Sequence, residues 1–505
     1  MRVALFALFV APAIATLPVH GVADTYEATD LTAKAIFAKY HAARGERAPG
    51  NYHEVVHVHT GGVDRTQTTY MDADNYITRY EGGGFSSAEG YYRKQSWDQD
   101  ENGIVTLRSE FRSQEDPNEL ALEHPEDPKY NVRVLGITQG APRQYVVEIN
   151  PPGGFDQYRY FDASSFLLMR TISFTRDRHR HVTDYSDYRT VYGETIAFAL
   201  HAYDGRPQND TTMSIQAFEK VDTQLDLSIP ASTPIFSYSG NKPIDLPARF
   251  TSGGIIIRAI VNGRGLDFLL DSGASELFID PGVAHELGLT PFGRNSKTIG
   301  GGDVDMGSVR LAHMSIGSLT LDNVVFETAP FDEEVDGSRV VGFIGFDLLA
   351  SGVFGIDFKA QKVTYYPSSS FDPKALGLTA LPLQLDDGIP RTDVWVEGVH
   401  GHFLVDTGAF KLLVYRDFAN RLPSVPVEEQ QARIDTVGGG LSSSLVDLTD
   451  VVFGKVKYRS AQAMEPNSST FDIRDYDGLI GRDVLSNYQS YFDYADGVLF
   501  VKPNI

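Results

Sequence analysis

Leu269-Leu270-Asp271-Ser272-Gly273-Ala274 and Leu404-Val405-Asp406-Thr407-Gly408-Ala409 are one motif written twice, at an offset of 135. Two apolar residues running into Asp-Ser/Thr-Gly describe a strand that ends in a tight turn and presents a carboxylate. The hydroxyl residue can bond backbone or a neighbouring loop, and the glycine permits close approach of another chain. Asp-Ser-Gly alone occurs in many ordinary turns; its neighbours change the reading. Gly300-Gly301-Gly302 recurs as Gly438-Gly439-Gly440, at an offset of 138. Ile344-Gly345-Phe346-Asp347-Leu348-Leu349 recurs as Ile480-Gly481-Arg482-Asp483-Val484-Leu485, at 136, and Asp357 and Pro367 recur as Asp493 and Pro503 at the same spacing. Five markers in one order at nearly one offset describe two copies of a β-rich lobe. The lobes span 249–367 and 380–503, with a connector at 368–379.

Upstream of the repeat, Pro230 to Pro247 is rich in Pro and Ser and reads as a linker over 230–248. Residues 24–229 carry a different pattern. One helix is expected over 30–44, capped by Asp30 and ended by Gly45. Short alternating runs follow at Val55–His59, Gln67–Tyr70, Tyr145–Ile149, Tyr158–Phe161, Leu167–Phe174, Val182–Tyr188 and Ile196–His201. Gly, Pro, Asn and Asp punctuate them. This predicts an antiparallel meander, an open β-barrel or half-barrel around a helix. The whole chain is expected to be mainly β: two related β lobes preceded by this antiparallel domain.

The segment 1–23 reads as a secretory signal. Arg2 supplies the positive charge, Val3 to Val10 is an apolar run, and small residues precede cleavage after Ala15 or, preferably, Ala23. The run is too short to span a bilayer comfortably, and no later stretch of about 20 apolar residues follows. The expectation is an exported, periplasmic or secreted protein with no membrane span in the mature chain.

The 505 residues include 44 basic and 67 acidic ones, a net charge of −23. Such a charge argues against a nucleic-acid binder and against docking on an anionic membrane. Hydrophobic content of 42% with 22% charged residues describes a globular chain. The absence of cysteine excludes disulfides, thiol catalysis and Cys-ligated zinc.

The tandem motifs resemble those of pepsin-like and retropepsin-like aspartic proteases, over about residues 249 to 503. The resemblance implies one Asp-Thr/Ser-Gly loop per lobe, with Asp271 and Asp406 catalytic and Ser272, Gly273, Thr407 and Gly408 bracing the loops. It implies flap hairpins at Gly300, Gly301 and Gly302 and at Gly438, Gly439 and Gly440. It implies supporting segments at Ile344-Gly345 and Ile480-Gly481. It also implies a polypeptide substrate and no metal or other cofactor. Retropepsins form the dyad between two chains and pepsin-like enzymes within one; the connector from Tyr366 to Ala380, 14 steps, reaches about 45 Å at roughly 3.3 Å per residue, so one dyad per chain and activity as a monomer are expected. Ala274 and Ala409 follow the loop glycines as in retropepsins, where pepsin-like enzymes carry Ser or Thr. Loss of that donor is expected to raise the pH optimum above pepsin's.

The chemistry is consistent in its own terms. Two carboxylates in contact cannot both ionise easily, so they hold one shared proton. The ionised member serves as base toward water and the protonated member as acid toward the carbonyl oxygen. More weakly, the N-terminal half resembles the envelope lipoprotein carrier fold, through Tyr160-Phe161-Asp162 and Asp184-Tyr185-Ser186-Asp187-Tyr188-Arg189. That implies room for an acyl chain or an apolar peptide, against the plainer reading of a spacer domain.

Two rival functions remain at the level of sequence. One is a non-catalytic peptide- or lipid-binding protein on the same fold. The other is a zinc protease through His53-Glu54-Val55-Val56-His57, which matches His-Glu-x-x-His. That motif needs a helix, and Val55, Val56 and Val58 favour a strand. The basic cluster Arg176 to His181 reads as a hairpin tip, and Asp347, Asp483, Asp357 and Asp493 as structural residues.

Overall fold

Strands carry the chain because its β-branched and aromatic residues alternate with polar ones at period two. The computed structural model describes residues 2–4, 26–107, 117–151, 156–174, 180–299, 302–331, 333–386, 388–423, 427–436, 439–454, 456–458, 461–466 and 476–504. Residues 5–23 of the expected signal, and most of the basic cluster at 175–179, lie outside the described residues.

Among the described residues, the N-terminal half forms one 14-stranded antiparallel sheet. It runs from Tyr26–Glu27 through Val132–Thr138 to Thr211–Val221, then through Asn51–Thr60 to an edge at Val105–Leu107. All seven expected runs fall on strands. Tyr76–Gly82, Phe85–Tyr92, Gln95–Gln99 and Val132–Thr138 are additional. The helix is Ala33–Arg44, and its cap is Thr32, not Asp30: the Thr32 hydroxyl accepts from Ala35 N at 3.2 Å. Gly45, at φ 71°, closes it. Ile36 and Phe37 bury the helix against Val147, Ile149 and Phe161 of the sheet. Residues 51–60 form a strand, so His53 and His57 stand about 13 Å apart along it, at roughly 3.3 Å per residue, and cannot share one ion.

The expected linker is not a free tether. Phe236–Ser237 pairs with Thr320–Leu321, Ile244–Asp245 pairs with Thr364–Tyr365, and Ile235 and Leu246 are buried in the main core. Its apolar side chains, spaced among the Pro and Ser residues, find partners on the first lobe.

Each lobe is built around its motif strand. In the first, Arg264–Leu270 pairs antiparallel with Ile255–Val261 and parallel with Ser338–Ile344. Pairing of Leu319–Thr328 with Gly302–Ile316 closes this sheet on itself. In the second, Val399–Val405 pairs in the same way with Ile389–Val396 and Gly478–Ile480. A six-stranded sheet joins the lobes. At its centre Val353–Asp357 and Tyr488–Asp493 run antiparallel, with Gly355 opposite Tyr491. These two positions are separated by 136, the repeat offset, so an approximate two-fold axis passes between them.

The N-terminal sheet docks on the first lobe. Ile104 is buried in the lobe's core, and Asn102 bonds both Val325 and Asp347. Asn209 makes paired bonds of 2.8 and 2.9 Å to the backbone of Ser296, on the first lobe's glycine-tipped hairpin. Phe85 packs edge-on against Phe292 of the same hairpin.

Candidate active site

Parallel pairing of each motif strand with its supporting strand sets the two loops. Asp271 N donates to Ile344 O, and Asp406 N donates to Ile480 O, each at 3.0 Å. The glycine after each support is required for space. A Cβ on Gly345 would lie 2.4 Å from Ala274 O, and one on Gly481 would lie 2.5 Å from Lys411 O.

The loops grip each other. Ser272 N donates to Thr407 Oγ1 and Thr407 N donates to Ser272 Oγ, both at 3.0 Å. Each hydroxyl then crosses to the other lobe: Ser272 Oγ donates to Val405 O at 2.8 Å, and Thr407 Oγ1 donates to Leu270 O at 2.9 Å. All four bonds are buried, and all four link residues of one chain. Ser and Thr serve equally because only the hydroxyl is used.

This grip sets Asp271 and Asp406 side by side, both fully buried. A Cβ on Gly273 would lie 2.7 Å from Asp406 Cγ, so only glycine lets the loops approach this closely. Each Oδ1 is held by backbone. Asp271 Oδ1 accepts one N–H, from Gly273 at 2.8 Å. Asp406 Oδ1 accepts two, from Gly408 at 2.7 Å and Ala409 at 2.9 Å. Each Oδ2 is buried with no hydrogen-bond partner among the described residues. Two ionised carboxylates offer each other no donor, whereas one proton between them makes a hydrogen bond.

The pair is unequal. Burial, then the charge of Asp406, pushes the Asp271 carboxyl well above its usual value. Burial also raises Asp406, but the hydrogen bond from Asp271 and the Ala409 and Gly408 amides hold it to about 6. The pair shares one proton, and the two backbone donors on Asp406 against one on Asp271 favour the charge on Asp406.

Three neighbours escape motif reading. Arg482, only 8% exposed, follows the second support and faces both carboxylates with its positive charge. Its Nε donates to Ala409 O at 3.3 Å. The first lobe has Phe346 at the equivalent place, stacked on Tyr494. The Tyr494 hydroxyl is buried beside both carboxylates, which raise its pKa further after burial has done so. Asp347, one residue on, is paired with Asp100 of the N-terminal sheet, and both are raised by burial, Asp100 to about 6. The doublet of Ile-Gly-x-Asp segments signalled where Arg482 and Asp347 would lie, but not that the x positions differ in role.

The glycine-tipped hairpins are present as Phe292–Ile299 with Gly302–Ile316 and as Val427–Thr436 with Gly439–Leu448. Gly302, Gly439 and Gly440 open their second strands, while Gly300, Gly301 and Gly438 lie outside the described residues. The hairpins pack on the loops: Val304 and Met306 share a cluster with Ala274, and Ile434 shares one with Ala409. A cavity of about 330 Å³ opens between the N-terminal sheet and the first lobe, lined by Asp98, Asp100, Glu101, Ser275, Glu276 and Phe346 among others.

An aspartyl protease family model matches the chain twice, over residues 257–348 and 392–484. The two matches fall on the two lobes, and each contains one of the paired aspartates. No curated protein matches the chain. Among solved structures, an aspartic proteinase from Irpex lacteus is 13% identical, over 52% of this chain and 97% of its own, with a TM-score of 0.36. A retropepsin-like aspartic protease from Rickettsia conorii is 19% identical, over 25% of this chain and 89% of its own, with a TM-score of 0.19. A LolA superfamily protein from Nitrosomonas europaea is 11% identical, over 38% of this chain and 96% of its own, with a TM-score of 0.29.

Proposed function

We propose that the chain is an aspartic endopeptidase whose dyad is Asp271 and Asp406. The observation that carries this reading is the cross-bonded pair of loops, which buries two carboxyls together and leaves one oxygen of each with no donor outside the pair itself. In the reaction, ionised Asp406 takes a proton from water as the water oxygen bonds the peptide carbon. Asp271 gives its proton to the carbonyl oxygen. The tetrahedral intermediate then breaks its C–N bond: Asp406 passes the proton it took from water to the leaving nitrogen, and one hydroxyl of the intermediate returns its proton to Asp271 as the carbonyl re-forms. The dyad ends with one proton, as it began. No metal and no covalent enzyme intermediate are used.

The pattern of Arg2, the Val3–Val10 run and Ala23 supports export to the periplasm or outside the cell, checked by the N-terminal sequence of the mature protein. No described helix is long and apolar enough to cross a membrane. The rival reading is a non-catalytic peptide- or lipid-binding protein. Turnover of a denatured protein mixture, blocked by a statine-type transition-state mimic, separates the two. Cleavage with such inhibition supports the peptidase; tight binding of peptide without cleavage supports the rival.

A further inference from the structure

We propose that Asp393, His400 and His402 bind one divalent transition-metal ion, zinc first, on the exposed face of the second lobe's opening hairpin. The strands Ile389–Val396 and Val399–Val405 pair with Asp393 opposite His402 and Trp395 opposite His400. With a period of two, all four side chains stand on one face. Each of the three ligand side chains is a little under half exposed, so an ion can reach them.

The donor atoms already converge. His400 Nε2 and His402 Nδ1 each lie 3.0 Å from Asp393 Oδ1, and all three atoms fall within 4.8 Å of one another. A tetrahedral zinc ion with bonds of roughly 2.0–2.1 Å places its ligand atoms about 3.3 Å apart. Small rotations of two imidazoles would therefore admit the ion. Two imidazoles and one carboxylate, with remaining positions open to water, suit zinc, nickel or copper better than calcium or magnesium.

The repeat supplies an internal comparison. At an offset of 135, Asp393, His400 and His402 correspond to Arg258, Gly265 and Asp267. In the first lobe Arg258 Nη1 and Asp267 Oδ1 form an ordinary ion pair at 2.8 Å. The fold therefore needs only a cross-strand charge pair here. The second lobe instead carries a metal-type donor at all three places, including an imidazole where its twin has glycine. The N-terminal hairpin offers a second comparison. His57 and His59 both face Asp64, at 3.3 and 2.8 Å, on an equally exposed strand. Yet among the described residues only the Asp393 group draws three such donors within 4.8 Å of one another.

An ion at this place would tie the two strands together. The second strand runs on into Asp406 four residues later, so the expected consequence is on stability, with no part in hydrolysis. The test uses the full chain, freed of metal by chelator and titrated with zinc chloride in a calorimeter. The expected result is one saturable site of micromolar or tighter affinity and a rise in Tm with zinc. His400→Ala/His402→Ala and, separately, Asp393→Asn should weaken the site by more than the roughly 10–100-fold lost with an outer-shell partner. Both should also lose the zinc-dependent rise in Tm. His57→Ala/His59→Ala should leave both readouts unchanged. No saturable site in the wild-type chain would overturn the proposal. So would zinc binding that survives the 400/402 change or disappears with the 57/59 change.

Discussion

Replacing Asp406 with Asn should kill hydrolysis and yet make the fold more stable at neutral pH. Burial raises this carboxyl from 3.8 to about 6. A folded-state pKa above the unfolded one means that the stability present in acid is lost as pH rises from 3.8 to about 6, and stays lost above. At about 1.36 kcal/mol per pH unit, keeping Asp406 charged costs the fold about 3 kcal/mol at pH 7.5. Asparagine carries no charge at any pH and escapes this cost. Its Oδ1 still accepts from Gly408 N and Ala409 N, though as a neutral acceptor it is weaker, by about 1 kcal/mol in all. Its Nδ2 donates toward Asp271. The expected net gain at pH 7.5 is therefore about 1–2 kcal/mol. It shrinks to near zero at pH 4, where the wild-type carboxyl is already protonated. Urea unfolding of both proteins at the two pH values measures it. A gain of equal size at both pH values, or a loss at pH 7.5, would refute the burial argument even if activity were abolished.

Thr407→Val should cost about 2–4 kcal/mol, since it leaves Leu270 O and Ser272 N buried without partners, and Thr407→Ser should restore nearly all of it in the same unfolding assay. Arg482→Met should move the acid limb of the kcat/KM profile upward, because a nearby cation no longer favours the ionised pair; an unmoved limb would remove Arg482 from the electrostatics of the site. Chelator should leave turnover unchanged within error, and activity lost on chelation and regained with zinc would contradict a dyad that works without metal. Residues 245–505 alone should still cleave a short peptide, because every hydrogen bond at the aspartate pair arises beyond residue 245. They should melt at a lower temperature for want of Ile104, Asn102 and the packed residues Ile235, Phe236 and Ile244; a folded but inert fragment would bring the residues before 245 into the site.

Duplication makes the C-terminal half legible. A single Asp-Ser-Gly could be any turn, but paired markers at one offset fix which strands must be equivalent and so which carboxylates must meet. The pairings of Leu270 with Ile344 and of Val405 with Ile480 are what that equivalence requires. Long-range polar contacts were less legible. Arg482 and Phe346 occupy equivalent places, yet one charges the site and the other packs on Tyr494, a difference set by neighbours that no spacing reveals. The Asp100–Asp347 pair spans a domain junction without a shared motif. In the 230–248 segment, Pro and Ser mark irregular backbone, whether it runs free or lies on a surface, so the packing of Ile235 and Leu246 is not legible there. The helix cap is Thr32 although Asp30 is the better cap in isolation; the helix starts where Ile36 and Phe37 meet the sheet.

On the proposed function, one chain builds one dyad from Asp271 and Asp406. The most direct test is peptidase activity of Asp271→Asn and Asp406→Asn, each alone and then mixed under conditions that permit subunit exchange. Each variant retains the grip hydroxyls of Ser272 and Thr407, so each should fold. Turnover should fall by about 10³-fold in each variant, the middle of the range for a lost acid–base group, with no recovery on mixing. Near-normal turnover in either variant would contradict the assignment of the dyad. Activity regained only on mixing would show that the dyad forms between chains.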